Sequence, residues 1–242
     1  MRVITVTNQK GGVGKTVLAC HLALAGVEEH KRVLLIDLDT QANATLTLTL
    51  DLSLPKKNGG SAHLFSGTPL DPIPTASGVE VLHGHQHLDA LDAEYSLEQA
   101  LPIRDQLRQL PYDLIVVDTP PAIGLRHVGP ILWCDVCLTP LEPNAYSISG
   151  LSHTLNTLSF ARRLNPGVRS RAIINRYIKR SKQHAFYIAE IARHVELTKP
   201  FLPLRVAVPD ALDAGVPVWR FSRAAPETKR QWRELCGGFA CE

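Results

Sequence analysis

A glycine-rich segment close to the start of the chain restricts the fold more than any other feature of the sequence. Residues 10–16 read Lys-Gly-Gly-Val-Gly-Lys-Thr, and they lie between an apolar alternation at 3–7 and an apolar, helix-forming run at 17–24. Glycine allows positive φ angles, so the backbone N–H groups of such a loop converge on an anion, and the next helix adds its own free N–H groups. The order of strand, glycine loop and helix therefore predicts a phosphate-binding loop in an α/β fold.

The side chains of this loop suit a nucleoside triphosphate and its magnesium ion. Lys15 places a positive charge on the β- and γ-phosphates, and the Thr16 hydroxyl is a ligand for Mg²⁺. ATP and Mg²⁺ are therefore the expected cofactors. The residues of this segment that we expect to contact the nucleotide are Gly11, Gly12, Val13, Gly14, Lys15, Thr16 and Val17.

Two later apolar runs end in aspartate. The run at 33–39 carries two aspartates, the second being Asp39, and the run at 113–118 ends in Asp118. Continuous apolar runs suit parallel strands that are covered on both faces, and acidic residues at the carboxyl ends of such strands face the ligand crevice. We assign Asp118, together with Thr16, to the magnesium site.

Three segments together resemble the ParA/MinD family of ATPases, whose phosphate-binding loop is a deviant Walker A motif. They are residues 10–16, residues 37–45 (Asp-Leu-Asp-Thr-Gln-Ala-Asn-Ala-Thr) and residues 113–121, in the order typical of the family. The resemblance implies a P-loop fold with a mostly parallel, twisted sheet and helices on both faces, as the alternation of strands and helices also predicts. It further implies a single ATPase domain over residues 1–242, similar to the short ParA-type partition ATPases.

The resemblance assigns catalytic roles to three residues, Lys10, Lys15 and Asp39. Gln9 occupies the first glycine position of the usual loop, and Lys10 follows it. Lys10 corresponds to the lysine that reaches across a dimer interface to the partner's nucleotide; the alternative is a solvated surface lysine. Asp39 corresponds to the aspartate that orients the attacking water; the alternative is a cap at the start of the next helix.

The adenine site is also inferred from the resemblance. Asn175 stands where the family has an asparagine that reads the adenine edge, a role that a carboxamide suits because it offers both a donor and an acceptor. The alternative is an ordinary turn residue. Pro209 and Asp210 belong to a segment similar to the family's closing loop, which surrounds adenine mostly through backbone groups.

The function implied is DNA partition. An ATP-dependent homodimer would bind DNA without sequence preference, and hydrolysis stimulated by a ParB-like, centromere-binding partner would release it, so that plasmid or chromosomal DNA is segregated. The candidate DNA-binding residues are Arg205, Arg220, Arg223, Lys229 and Arg230. Two alternatives share these motifs: a ParA-like ATPase that positions a protein cargo, and a MinD-like ATPase at a membrane surface.

Composition limits the cellular setting. The net charge is only +3, so total charge does not indicate a nucleic-acid partner. The five cysteines are an odd number, which does not fit the disulfide framework of a secreted protein. The chain begins directly with a strand and has no apolar stretch near the ~18 residues that span a membrane. We expect a cytoplasmic protein without a membrane partner or a DNA-reading domain ahead of the first strand, associated with the nucleoid when ATP is bound.

Several local predictions remain for the structure to test. We interpret Cys134 and Cys137 as ordinary buried thiols rather than cluster ligands, and the histidines at 83, 85 and 87 as a pattern without a metal. The sequence predicts a turn-rich connection at 54–60 and helices over residues 96–110, 147–164, 186–195 and 226–239, the last interrupted by a break at Gly237 and Gly238.

Overall fold

The computed structural model describes residues 1–51, 53 and 59–241. Within them, eight strands form one sheet in the order β3-β4-β2-β5-β1-β6-β7-β8, with β3 antiparallel to β4 and the other pairs parallel. The strands are β1 (Arg2–Val6), β2 (Val33–Asp37), β3 (Ile73–Pro74), β4 (Val79–Leu82), β5 (Leu114–Asp118), β6 (Val136–Leu141), β7 (Arg169–Ile174) and β8 (Leu197–Thr198). The α/β fold class with a mostly parallel sheet is confirmed.

The helices connect these strands and lie on both faces of the sheet. They are α1 (Lys15–Glu28), α2 (Asn43–Thr49), α3 (His63–Ser66), α4 (Leu91–Glu94), α5 (Leu97–Ala100), α6 (Ile103–Arg108), α7 (Leu125–Trp133), α8 (Ala145–Leu164), α9 (Lys182–Ala192), α10 (Ala207–Asp213) and α11 (Pro226–Cys241). No helix among the described residues is both long enough and apolar enough to cross a membrane.

The central strands are apolar throughout because both of their faces are covered. In β1, Val3 and Ile4 are fully buried but belong to different cores, since successive strand residues point to opposite faces. The core that contains Ile4 packs against α1, α10 and α11, and the core that contains Val3 packs against α6, α7 and α8. This arrangement leaves the carboxyl edge of the sheet free to carry polar residues.

Strand register brings the acidic ends of two strands beside the phosphate-binding loop. Asp118 lies opposite Val6 at the end of β1 on one side and opposite Asp37 at the end of β2 on the other. Because β1 leads directly into residues 10–16, Asp118 reaches the loop from the neighbouring strand. The site described below lies at this edge.

The helix predicted over 96–110 is wrong as a single element, because it is two helices. Ser96 caps α5 with a capping box that includes Gln99, and Pro102 is the N-cap residue of α6. Proline has no N–H to continue a helix but is accommodated where one begins. The chain therefore turns at Leu101 and Pro102.

The predicted break at Gly237 and Gly238 is also wrong, because α11 continues through both residues to Cys241. Glycine inside a helix costs roughly 1 kcal/mol relative to alanine. Phe239 and Ala240, which follow directly, are buried in the core that α1 shares, and their packing offsets this cost. Trp232 and Leu235 dock this helix on the sheet, since both are buried in that core.

Three predicted boundaries move by a few residues. The helix expected at 186–195 is α9, which begins earlier because the Ser181 side chain caps it at His184 N–H. Helix α8 likewise begins at Ala145, before the predicted residue 147, because the Asn144 side chain caps it by accepting a hydrogen bond from Ser147 N–H. The strand that the sequence indicates at 171–176 is β7, which ends at Ile174, so Asn175 and Arg176 lie beyond it. Residues 54–58 of the predicted turn-rich connection lie outside the described residues.

We expect the α11 contact to contribute substantially to stability. The Trp232 side chain is 1% exposed, and its ring centroid lies 4.6 Å from that of His21 on α1. Trp232→Ala should lower the free energy of unfolding by about 3–5 kcal/mol, because it leaves a large cavity. Urea denaturation followed by circular dichroism measures this change.

The control is Phe186→Ala, which removes an aromatic side chain that is 59% exposed. It should change the free energy of unfolding by no more than about 0.5 kcal/mol. Equal effects of the two substitutions would show that α11 does not depend on the Trp232 contact.

Candidate functional site

The loop at 10–16 has the backbone that an anion cradle requires. Gly12 and Gly14 have φ angles of 76° and 92°, in the left-handed region that favours glycine. A Cβ atom on Gly14 would lie 2.4 Å from Nδ2 of Asn175, so a side chain there would collide with the residue that closes over the loop. Helix α1 begins immediately afterwards at Lys15, and its N-terminus adjoins the loop.

Lys15 lies beneath this loop and close to the carboxylates. Its side chain is buried, and Nζ donates a hydrogen bond to the Lys10 carbonyl at 3.1 Å. Burial lowers the pKa of the Lys15 ammonium, and the charges of Asp118 and Asp39 act in the opposite direction. The ammonium is therefore partly desolvated and stands ready to interact with an anion in the loop.

Asp118 is a buried carboxylate without the hydrogen bonds that such a group normally has. Neither of its oxygens has a hydrogen-bond partner among the described residues, and the residue is 0% exposed. Burial, followed by the neighbouring Asp37, raises its pKa well above the usual range, and the Thr16 hydroxyl and Lys15 ammonium lower it. An orphaned carboxylate beside a hydroxyl is the oxygen donor set that a hard divalent cation accepts.

Asp37 and Asp39 have different surroundings although they are two residues apart. Asp37 accepts hydrogen bonds from the Thr45 hydroxyl at 2.8 Å, from Thr45 N–H at 2.9 Å and from Asp39 N–H at 3.0 Å. Burial nonetheless raises the pKa of Asp37 to about 6. Its bonds hold the turn from β2 to α2 closed, so Asp37 serves the shape of the site.

The Asp39 side chain remains beside the phosphate site. It is 8% exposed, and Oδ1 accepts a hydrogen bond from Gln41 N–H at 3.0 Å. The alternative in which Asp39 caps the next helix is wrong, because the N-cap residue of α2 is Ala42. The charge of the Asp39 carboxylate still acts on the Lys15 ammonium, where it opposes the lowering of the pKa by burial.

Lys10 points away from the loop to which it belongs. Its Nζ donates to Asn144 Oδ1 at 3.3 Å, lies 3.8 Å from Glu142 Oε2 and sits 5.7 Å from the centre of the Tyr146 ring. Tyr146 is 78% exposed, so this contact is at the rim of the site. The two lysines of the loop therefore diverge, one inward and one to the surface.

Asn175 supports the loop directly. Its Nδ2 donates to the Val13 carbonyl at 2.8 Å, and its Oδ1 accepts from Arg176 N–H at 2.9 Å. Arg176 has a positive φ of 56° and donates through Nη1 to the Gly12 carbonyl at 2.7 Å. The carboxamide of Asn175 is thus engaged with the protein on both of its ends.

A cavity of about 350 Å³ opens beside Asn175 toward α10. Val17, Pro209 and Trp232 are among its lining residues. Pro209 and Asp210 lie inside α10 rather than in an irregular closing loop, and Asp210 N–H bonds to the Val206 carbonyl. The lining is mostly apolar, with Asn175, Arg176 and Arg205 as its polar side chains, and such a lining suits a planar base.

The candidate DNA-binding residues differ in their surroundings. Arg205 is exposed and lines the cavity, Arg223 is exposed over the Phe221 ring, and Arg230 is exposed in the first turns of α11. Lys229 is half-buried. Arg220 forms an ion pair with Glu28 on α1, which neutralises it.

Two polar residues of the site, Glu142 and His127, carried no signal in the sequence analysis. Glu142 pairs with Arg176 at 3.0 Å as well as facing Lys10. His127, in the first turn of α7, shares a hydrogen bond of 3.0 Å with the Thr7 hydroxyl, and burial together with Lys15 lowers its pKa to about 4. Each contact joins residues more than thirty positions apart, so only the fold reveals it.

The histidines at 83, 85 and 87 and the two cysteines at 134 and 137 do not form a group of metal ligands among the described residues. Among the described residues, no group of three or more histidine, cysteine, aspartate or glutamate side chains has the geometry to hold a metal ion without further ligands. Cys134 and Cys137 are buried free thiols, in agreement with their interpretation as core residues. His83 and His85 are buried at the end of β4.

Known proteins share both the sequence pattern and the architecture. The family profile described as "AAA domain" matches residues 1–169. The chain is 34% identical to the "Chromosome-partitioning ATPase Soj" of Thermus thermophilus over 72% of this chain and 68% of that protein. It is 29% identical to "Protein IncC" of Escherichia coli over 96% of this chain, and it spans 66% of the length of that relative.

Two solved structures have the same fold. Apo McdA of Cyanothece has a TM-score of 0.85 at 21% identity and covers 100% of both chains. Cobyrinic acid a,c-diamide synthase of Mycobacterium smegmatis, with bound ADP and magnesium, has a TM-score of 0.81 at 22% identity over 99% of this chain and 94% of that one. Taken with the loop at 10–16 and the profile match over more than half of the chain, the similarity to Soj shows that this chain belongs to the ParA/MinD family of deviant Walker A ATPases.

Proposed function

We propose that the chain is a ParA-type partition ATPase that binds ATP with Mg²⁺, closes into a homodimer, binds DNA without sequence preference and is released by hydrolysis. The observation that carries this proposal is the divergence of the two loop lysines. Lys15 faces the buried carboxylates, whereas Lys10 reaches the rim at Asn144 and Tyr146. A lysine at the rim is available to a second subunit.

The loop and the neighbouring strand ends would hold the triphosphate. Backbone N–H groups and Lys15 would bind the phosphates, and the apolar cavity beside Asn175 would take the base. Mg²⁺ would be held by the Thr16 hydroxyl and the Asp118 carboxylate, and it would neutralise charge on the β- and γ-phosphates. The unpartnered oxygens of Asp118 support this assignment. The similar cobyrinic acid a,c-diamide synthase of Mycobacterium smegmatis, which has been solved with ADP or an ATP analog and magnesium, supports it as well.

Asp39 is the residue that we assign to the attacking water. The charge of its carboxylate acts on the Lys15 ammonium, and its backbone is held by the turn that Asp37 and Thr45 close. A carboxylate fixed in this way accepts a hydrogen bond from a water and orients it toward the γ-phosphate. Its contribution is one of position, so its removal should affect hydrolysis more than binding.

Lys10 would complete the site of the partner subunit. In a two-fold symmetric dimer each subunit gives its lysine to the other, so both sites are completed together. Lys10 would stabilise the charge that develops on the transferred phosphoryl group, as a positive group supplied by a partner does in related reactions. Before the dimer forms, Asn144 and Glu142 provide a place for the ammonium.

DNA binding would follow from the dimer. Arg205, Arg223 and Arg230 are exposed cations, and two copies of each would double the number of phosphate contacts. A ParB-like partner that binds a centromere-like sequence would stimulate hydrolysis and so release the dimer. The burial of Trp232 and Leu235 in the core leaves α11 poorly suited to the alternative role of membrane anchor.

Separate substitutions of Asp39 and Lys10 should distinguish ATP hydrolysis from ATP-driven dimerisation. Asp39→Ala should reduce the rate of ATP hydrolysis by roughly 100-fold or more, because the attacking water loses its orienting group. This variant should still dimerise with Mg-ATP. Lys10→Ala should bind ATP as a monomer but lose ATP-driven dimerisation. Analytical ultracentrifugation with Mg-ATP and phosphate release assays measure both properties. Undiminished hydrolysis by Asp39→Ala would remove this residue from the chemistry.

Binding to an arbitrary DNA duplex tests the proposal as a whole. Fluorescence anisotropy should detect binding with Mg-ATP, but not with Mg-ADP or without nucleotide, and binding should weaken as salt rises. Arg223→Gln and Arg230→Gln should each lower the slope of log affinity against log salt by about one for each phosphate that the side chain neutralises. Arg163→Gln, an exposed arginine at the end of α8, is the matched control. Nucleotide-independent binding, or none, would contradict the proposal.

A further inference from the structure

A buried arginine links the loop after Asp118 to the segment that carries Asp39. Arg126 is 4% exposed and lies in the first turn of α7. Its Nε and Nη2 donate to Asp92 Oδ2 at 3.0 and 2.8 Å, and its Nη1 donates to the Leu38 carbonyl at 3.2 Å. One guanidinium thus contacts two segments that are distant in sequence.

Asp92 fixes the guanidinium and the start of α7 at the same time. Its Oδ1 accepts a hydrogen bond from Arg126 N–H at 2.9 Å, while Oδ2 accepts from the side chain. A Cβ atom on Gly124 would lie 2.6 Å from Asp92 Cγ, so Asp92 is packed directly against the residue that precedes α7. The orientation of the arginine is therefore set from two directions.

The carbonyl that Arg126 holds belongs to the peptide that joins Leu38 to Asp39. The N–H of that peptide donates to Asp37 Oδ1 at 3.0 Å, and the preceding N–H, of Leu38, donates to the Asp118 carbonyl at 3.0 Å. Arg126 supplies the remaining contact, to the oxygen. With both of its polar atoms held, this peptide cannot rotate without breaking a buried hydrogen bond.

We propose that Arg126 is a positioning residue for ATP hydrolysis, and that the Asp92–Arg126 pair orients the Leu38–Asp39 peptide so that the Asp39 carboxylate faces the attacking water. The inference rests on the proposed function, because it takes Asp39 as the group that orients the water. Arg126 is two residues beyond the loop at 119–124 in sequence, so a movement of that loop would shift the Leu38–Asp39 peptide through the guanidinium. A buried charge is costly unless it is fully paired, and here Asp92 and Leu38 provide the partners.

Arg126→Lys separates this role from a purely structural one. A lysine keeps a positive charge for Asp92, but a single ammonium lacks the planar fork that reaches Asp92 and the Leu38 carbonyl together. We expect the thermal midpoint and the affinity for a fluorescent ATP analog to stay near wild type, while the single-turnover rate of ATP hydrolysis falls roughly 10- to 100-fold. Asp92→Asn should lower the rate in the same direction, because it weakens the grip on the guanidinium.

A double-mutant cycle with Asp39→Ala identifies the path of the effect. If Arg126 acts through Asp39, the double variant Asp39→Ala/Arg126→Lys should hydrolyse ATP at the rate of Asp39→Ala alone. Arg108→Gln is the matched control, because Arg108 forms an ion pair with Asp135 at the opposite end of the sheet. It should leave the rate of hydrolysis within about twofold of wild type.

The outcomes distinguish the two claims. A normal rate in Arg126→Lys, or losses that multiply in the double variant, would overturn the positioning role even if Asp39→Ala is inactive. A normal rate in Asp39→Ala would instead contradict the proposed function and the positioning role together. If Arg126→Lys fails to fold, Asp92→Asn in the same cycle decides the question, since the carboxamide oxygen of the new side chain still accepts from the backbone of α7.

Discussion

The structure depends on a concentration of buried charge at the carboxyl edge of the sheet. Register places Asp118 opposite Asp37, and the pKa of each carboxyl is raised mainly by burial. Asp37 compensates with hydrogen bonds from the β2–α2 turn, whereas Asp118 has none among the described residues. The Lys15 ammonium is the opposite charge that lowers the pKa of Asp118. Such a site is stabilised when a cation and an anionic ligand enter it. The same buried charges therefore account for both nucleotide binding and the proposed chemistry.

The phosphate-binding loop separates its two lysines in space, and this separation links nucleotide to assembly. Lys15 contributes to its own site, whereas Lys10 extends to a rim formed by Glu142, Asn144 and Tyr146. Asn144 also caps α8, so the rim is held by the same residue that begins that helix. In the proposed mechanism, a change in the bound nucleotide first affects the surface where a second subunit would dock.

The sequence predicts the parts of the fold and site whose causes are local. Glycines in the left-handed region, a helix directly behind them and apolar strands ending in aspartate identify the loop and Asp118 without any knowledge of distant contacts. The extent of α11 is not predictable in this way. Phe239 is buried against residues that are distant in sequence, and this packing outweighs the low helix propensity of the two preceding glycines. The contact between Arg126 and Asp92 likewise spans 34 positions and becomes visible only when α7 is folded.

The most direct test of the account is to mix two inactive variants, Lys10→Ala and Asp39→Ala, in the presence of Mg-ATP. In a mixed dimer, the site of the Lys10→Ala subunit keeps its own Asp39 and receives Lys10 from the other subunit, so one of the two sites is complete. Hydrolysis should rise clearly above the summed rates of the two variants measured alone, because every mixed dimer has one complete site. A mixture that hydrolyses ATP no faster than the sum of its components would contradict the claim that each subunit completes the site of its partner.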